Sequence, residues 1–234
     1  SADDAHLAPL KAQLSRPVYT FSTEGNPADV WAEDIKEENG VTTFTICHGE
    51  QRLLAVLPTI GEHNVKNALA AYLVGILTGM ESQEILCGLA GYKPTGNRQN
   101  IMEKSGQTVI ADCYNASPAS MEAAIGVLKN YPAEGRRVAV LGDMLELGEM
   151  SDELHAQVGE IVRTSGIQML YCYGPAAQQI AAHAGEHMGT FCTEDAGILT
   201  AKLQAYLKPG DVVLFKASHG MHLEQIIEAV YGAE

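Results

Sequence analysis

From Ile101 to Tyr231 short apolar, β-branched runs alternate with segments of helical spacing, and few folds accommodate that pattern. The runs Ile101 to Lys104, Thr108 to Ala111, Val138 to Leu141, Met169 to Tyr173, Phe191 to Thr193 and Val212 to Phe215 predict strands. Between them, Pro118 to Asn130, Ser151 to Thr164, Pro175 to His183, Ala196 to Leu207 and Met221 to Tyr231 predict helices. The alternation implies an α/β fold: a Rossmann-like, mostly parallel, doubly wound sheet with helices on both faces. Ligands of such sheets bind at the carboxyl ends of the strands.

The first part of the chain reads differently. Residues 3 to 15 suggest a short polar helix with Leu7, Leu10 and Leu14 on one face, and Val18 to Phe21 a strand. Three further strands, Val30 to Ile35, Val41 to Cys47 and Arg52 to Leu57, are punctuated by the turn signals Asn39-Gly40 and His48-Gly49. Together they predict a small antiparallel sheet. Gly61 to Gly79 then carries a helical apolar stripe, Val65, Ala68, Leu69, Tyr72, Leu73 and Ile76, and Ser82 to Ala90 a second helix. Gly91 to Gly96 breaks the pattern and predicts a boundary between an α+β domain, residues 1–95, and the parallel-sheet domain, residues 96–234.

Composition narrows the function. With 29 acidic against 15 basic residues the net charge is -14, which argues against nucleic acid and anionic membranes as partners. No apolar run is long enough to span a bilayer, and no signal peptide is evident. Five cysteines at wide spacing, without CxxC, predict buried thiols in a reducing cytoplasm. Ser1-Ala2 reads as a cloning remnant and no start methionine is present, so a fragment of a longer protein is expected.

Several turns could carry chemistry. Thr108 to Met121 reads as strand, polar turn and helix, with Ser117 as N-cap and Pro118 at the first helical position. Asp112, Tyr114 and Asn115 lie in that turn, beside a helix N-terminus suited to an anion. Asn64 and Asn67 share one face at the start of the first long helix, where two amides suit a heterocycle edge, although Asn64 could equally cap the helix. Arg98 follows the boundary loop and could clamp phosphate, or form an ordinary surface ion pair. Gly142 to Gly148 and Lys216 to Gly220 each follow a strand at the same sheet edge. There Asp143, Lys216, Ser218 and His219 line the crevice or serve only as turn and cap residues. The pairs His183/His187 and His219/His222 have metal-compatible spacing but lack a third ligand, so no metal site is expected. Neither GxGxxG, HExxH nor a GxxxxGK[ST] phosphate loop occurs.

GEHNVKNALAA at Gly61, GNR at Gly96, DCYNASPASM at Asp112 and VLGDMLELGEMSDELHAQVGE at Val140, in this order, resemble the Mur ligase family of peptidoglycan synthesis. The form of the Asp112 turn and the GDMLELG run, with His155 and Gly159 downstream, resemble the branch that uses D-alanyl-D-alanine. The resemblance spans Val18 to Tyr231 and implies the end of a central ATPase domain followed by a whole carboxyl-terminal domain. The family's phosphate loop and magnesium ligands have no counterpart here, so the chain by itself is expected to be inactive. By resemblance, His63, Asn64 and Asn67 match the adenine-contacting motif, Arg98 a phosphate contact, and Asp112 the carboxylate that holds the ribose hydroxyls. Tyr114 falls where some relatives have a phosphate-contacting Lys, Asn115 stands beside it among the cofactor-binding residues, and Lys216 and Ser218 face the incoming amino substrate. The implied cofactors are ATP and Mg2+, and the implied partners UDP-N-acetylmuramoyl-tripeptide and D-alanyl-D-alanine, handled by a cytoplasmic monomer. The two domains would close on ATP about Lys93 to Gly96. A folylpolyglutamate-type ligase and a non-catalytic nucleotide-binding module remain as alternatives. Neither Asp112 nor Arg98 is expected in the core, so replacing either should spare thermal stability.

Overall fold

The computed structural model describes residues 1–38, 40–93 and 99–232. Two units divide it, Ser1–Lys93 and Pro94–Glu234, each built on its own sheet.

In the first unit, β1 (Phe21–Ser22), β2 (Val30–Glu38), β3 (Val41–His48) and β4 (Gln51–Leu57) lie side by side in chain order. Alternation does the work here. Phe44 and Ile46 of β3, with Ala55 and Leu57 of β4, turn inward onto Val65, Leu69 and Tyr72 of α1 (Glu62–Leu77), while α2 (Ser82–Ala90) adds Ile85. Glu38 pairs with Val41, and Gly40 takes the left-handed φ of 77° that so tight a turn demands; Asn39 lies outside the described residues.

Two expectations fail in this unit. The strand near residue 20 is shorter than expected and pairs with β2 in parallel, so the sheet is mixed rather than antiparallel. No tight hairpin joins β1 and β2. A loop fastened by Asp3, which accepts from the Ser22 hydroxyl and the Thr23 N–H, brings the chain back in the same direction. The amino-terminal helix is a 3-10 segment, Ala8–Gln13, and Leu7, Leu10 and Leu14 stay exposed. So short a segment cannot present a stripe wide enough to pack.

The second unit follows the alternation. Its elements are β5 (Asn100–Lys104), β6 (Gln107–Asp112), α3 (Pro118–Asn130), β7 (Arg137–Gly142), α4 (Ser151–Arg163), β8 (Met169–Tyr173), α5 (Gln178–His183), β9 (Gly189–Thr193), α6 (Ala196–Tyr206), β10 (Val212–Lys216) and α7 (Leu223–Tyr231). The sheet order is β5-β6-β10-β7-β8-β9; only β5 runs antiparallel to its neighbour. The last strand of the chain is thus wedged between β6 and β7. Every residue of β10 is buried, as a central strand covered on both faces requires. On one face α6 and α7 bring Leu199, Leu203, Leu223 and Ile226 onto Val109, Val140, Tyr171 and Phe215. On the other, α3 packs on β7 and β10, and α4 lies against α3 and α5. Full burial of each such side chain contributes about 1.5–3 kcal/mol. Gly159 is needed where α4 meets α5, since a Cβ there would sit 2.5 Å from the Ile180 carbonyl oxygen.

A charged clamp sets the amino edge of the sheet. Asp211 accepts from the backbone N–H of Arg136 (3.0 Å), its Nε (3.1 Å) and Nη2 (2.6 Å), and from the backbone N–H of Lys208 (2.9 Å). The Arg136 guanidinium also lies over the Tyr206 ring, 4.0 Å from its centroid. Burial would raise the Asp211 carboxyl, but these hydrogen bonds outweigh it and hold the group below its ordinary range.

Cys47, Cys113 and Cys172 are buried free thiols, whereas Cys87 and Cys192 are exposed, against the expectation of buried thiols throughout. Cys87 sits on the outer side of α2 and Cys192 on the edge strand β9, where half of each element faces water. Among the described residues no helix is long and apolar enough to cross a membrane.

Candidate functional site

Three neighbouring strands, β6, β10 and β7, end together at the carboxyl edge of the second sheet. The register pairs Lys216 with Asp112 on one side and with Leu141 on the other. Register partners in parallel strands point their side chains the same way. Lys216 therefore meets Asp112, and its Nζ lies 2.8 Å from Asp112 Oδ2. The same ammonium donates to the Asn115 carbonyl oxygen at 2.6 Å. Asp112 Oδ1 accepts the Gln99 N–H at 3.2 Å. The lysine side chain is 2% exposed and the aspartate side chain 21%, so of the pair it is the aspartate that reaches solvent.

The turn that follows is folded by its own polar groups. The Asn115 side-chain oxygen accepts from the Ala116 N–H, and Ser117 caps α3 by accepting from the Ser120 N–H. Pro118 at the first helical position has no N–H to satisfy. Tyr114 stays exposed, its ring tilted 34° against that of His219 with centroids 5.9 Å apart. His219 also neighbours His222, and both imidazoles are exposed.

The GDMLELG loop after β7 is braced rather than solvated. Asp143 is buried and its Oδ1 accepts the Ala177 N–H at 2.7 Å. Ser218, also buried, donates its N–H to the Asp143 carbonyl and accepts the Leu145 N–H at its hydroxyl. His155 Nε2 accepts the Met144 N–H at 2.9 Å, and Nδ1 lies 2.7 Å from the Ser151 carbonyl oxygen; that fixes the proton on Nδ1. Gly174, at φ 114°, lies against the Asp143 carboxylate, where a Cβ would collide. The Asp143 carboxylate thus ties β7 to the segment after β8. Sequence reasoning missed His155 as a brace; Ser151 and His155, one helical turn apart, were the available signal.

In the first unit, a groove of about 240 Å³ opens beside the amino half of α1. Leu57, Ala68, Ala71 and Leu89 make its apolar walls, and Thr59, Asn64 and Asn67 its polar side. Gly61 is the residue before α1, and Asn64 is not the cap; it lies inside the helix and donates to the Ile60 carbonyl at 2.7 Å and to Thr59 Oγ1 at 3.3 Å. Asn67, three residues on, is exposed at the groove. His63 is half-buried on the same first turns. Thr59 and Tyr92 are groove residues that the sequence did not single out. Arg98, and most of the expected hinge Lys93 to Gly96, lie outside the described residues. The structure therefore brings Asp112, Asn115 and Lys216 together in one unit and His63, Asn64 and Asn67 together in the other. Among the described residues no group of three or more His, Cys, Asp or Glu could hold a metal ion. His183 donates from Nδ1 to the Gln179 carbonyl and His187 lies against the Arg163 carbonyl.

A doubly wound sheet with a carboxylate held at its carboxyl edge, and an amide-lined apolar groove on a separate unit, are the kinds of place where small ligands bind in α/β proteins. Comparison with known proteins gives the family. The profile of the Mur ligase glutamate ligase domain matches residues 97–219, and that of the Mur ligase middle domain residues 1–75. The chain belongs to the Mur ligase family.

Its relatives narrow the branch. It is 36% identical over 224 residues to the UDP-N-acetylmuramoyl-tripeptide--D-alanyl-D-alanine ligase of Bacillus subtilis, covering 94% of this chain and 48% of that protein. Identity to the Escherichia coli enzyme of the same name is 34% over 219 residues, covering 92% and 47%. Among solved structures, MurF from Acinetobacter baumannii superposes with a TM-score of 0.86 at 27% identity, over 99% of this chain and 50% of that one. MurF from Thermotoga maritima, in complex with ADP, gives 0.83 at 28% identity, over 98% and 52%. The chain thus spans about half the length of the relatives it matches.

Proposed function

We propose that this chain forms the end of the middle domain and the carboxyl-terminal domain of an ATP-dependent ligase that joins D-alanyl-D-alanine to UDP-N-acetylmuramoyl-tripeptide. The observation that carries the reading is Asp112. Its carboxylate is held on two sides at the strand end, yet a fifth of the side chain faces solvent, in a chain whose relatives bear that ligase's name. ATP, with Mg2+, supplies a phosphoryl group that activates a carboxylate toward an amine.

The chain's own groups would bind and orient. Asp112 has one lone-pair direction left on each oxygen and can accept the two ribose hydroxyls without ordering a mobile side chain. Asn67 can both donate to and accept from an adenine edge, while the walls of the groove exclude water from the ring faces. At about 240 Å³ the groove suits one heterocycle rather than a whole nucleotide. We assign His63 and Asn64 to shaping that groove, Tyr114 and Asn115 to the phosphate side, and Arg98 to phosphate neutralisation. Ser218 supports the loop facing the amino substrate. We place the magnesium ligands in the half of the ligase that this chain does not span. The net charge of -14 supports small-molecule substrates over nucleic acid. A cytoplasmic monomer is the form we propose.

The test is substrate-dependent phosphate release by the ligase that contains this chain. Release should require the muramoyl tripeptide and D-alanyl-D-alanine together, and Asn67→Ala and Asp112→Asn should each raise the ATP KM. Equal rates with a glutamate or single amino acid acceptor in place of the dipeptide would overturn the substrate assignment. Unchanged ATP KM in both variants would overturn the site.

A further inference from the structure

Lys216 reads, by its place at the sheet edge, as a contact for an anionic or amino substrate. Its surroundings say otherwise. An ammonium has three N–H donors. Here three acceptors surround it: Asp112 Oδ2 at 2.8 Å, the Asn115 carbonyl at 2.6 Å and the Asp112 carbonyl at 3.4 Å. At 2% exposure the side chain presents no donor to solvent. Two of the acceptors belong to Asp112 at the end of β6 and the third to the turn that follows it. A lysine stem long enough to reach solvent has been drawn inward instead, against the large hydration of an ammonium. The desolvation is compensated only because the carboxylate and two carbonyls replace water.

We propose that Lys216 is a positioning residue for Asp112: it fixes the carboxylate's rotation and the Asn115 turn, so that the two remaining lone pairs meet a vicinal diol. The proposal rests on the ribose-binding reading of Asp112. Oδ2 is held by Lys216 from the side of β10, and Oδ1 by the Gln99 N–H from the opposite side. A carboxylate held on one oxygen only can swing about its Cβ–Cγ bond, because that torsion is broad. Held on both, it has one orientation. Its free lone pairs then share one plane, which a cis-diol with neighbouring hydroxyls can match. Lys216 touches no ligand in this scheme and acts through Asp112.

The experiment compares ATP with 2′,3′-dideoxy-ATP in the ligase containing this chain, with Lys216→Met, Lys216→Arg and Asp112→Asn variants. The readouts are the Kd of each nucleotide and the KM of D-alanyl-D-alanine. Lys216→Met should weaken ATP about tenfold, the loss of one ribose hydrogen bond to an Asp112 carboxylate free to swing, and leave the dideoxy analogue unchanged within about twofold. Lys216→Arg keeps the charge but not the three-pronged geometry, and should fall between wild type and Lys216→Met. In the Asp112→Asn background, Lys216→Met should add less than about twofold. The dipeptide KM should stay put throughout. An equal loss for both nucleotides would make Lys216 a fold residue only, and a raised dipeptide KM with unchanged ATP affinity would make it a substrate contact. Either result overturns the proposal. If the wild-type protein itself does not distinguish the two nucleotides, the ribose reading of Asp112 fails first, independently of Lys216. Should Lys216→Met fail to fold, the Lys216→Arg comparison decides.

Discussion

At the scale of single residues, the proposed reading gives Asp112 two jobs, and they can be separated. We assign its outward lone pairs to a ligand, whereas its inward oxygen neutralises a buried ammonium. The sequence places Asp112 outside the core and predicts that its loss spares stability. The ion pair with buried Lys216 argues for the opposite outcome. Asp112→Ala leaves Lys216 uncompensated in a dry site and should cost about 3 kcal/mol. Nucleotide-free melting should show a drop of several degrees for Asp112→Ala and a smaller one for Asp112→Asn, which keeps an acceptor oxygen. Equal melting of wild type and Asp112→Ala would mean the pair adds nothing to the fold. The cap at Ser117 and the proline at 118 were legible because a helix start is written in consecutive residues. The burial of Lys216 against Asp112 was not, because it requires knowing that β10 lands beside β6, and no local pattern says so.

Among the elements, the strands of the second unit were legible almost to the residue, and Met169–Tyr173 and Pro118–Asn130 coincide with expectation. Where the reading failed, as at β1, the partner rather than the propensity decided the geometry. The Arg136–Asp211 clamp is another such partnership, joining the starts of β7 and β10 from residues 75 apart in sequence. It yields a pH prediction. The Asp211 carboxyl is held below its ordinary value of 3.8 in the folded state. Its stabilisation is therefore present above that ordinary value and is lost as pH falls through the lower, folded one. Melting curves below about pH 4 should fall more steeply for wild type than for Asp211→Asn, while above about pH 5 the wild type should be the more stable. Parallel curves would remove the clamp from the acid response.

For the whole molecule, the balance of parts sets what the chain can do by itself. Its described residues offer an apolar groove and a fixed carboxylate but no cluster of metal ligands, and its sequence has no phosphate loop. The purified chain should therefore release no phosphate from ATP above background, with or without magnesium, in a coupled phosphate assay. Magnesium-dependent release would place catalytic groups in this chain that its described residues do not show. Either unit by itself carries a core of its own, so each should unfold as a cooperative transition.

The wedging of β10 between β6 and β7 has a consequence for synthesis. The middle of the sheet is the last part to leave the ribosome. Until Val212 to Lys216 emerge, β6 and β7 each present an unpaired, hydrophobic edge, and no earlier strand can fill the gap in register. The nascent second unit must then wait, open and sticky, for its closing strand. A chain stopped after Leu207 should accumulate in the insoluble fraction despite retaining five of the six strands of that sheet. Supplying residues 208–232 as a separate peptide during refolding should recover soluble protein, because the gap is shaped for that one strand.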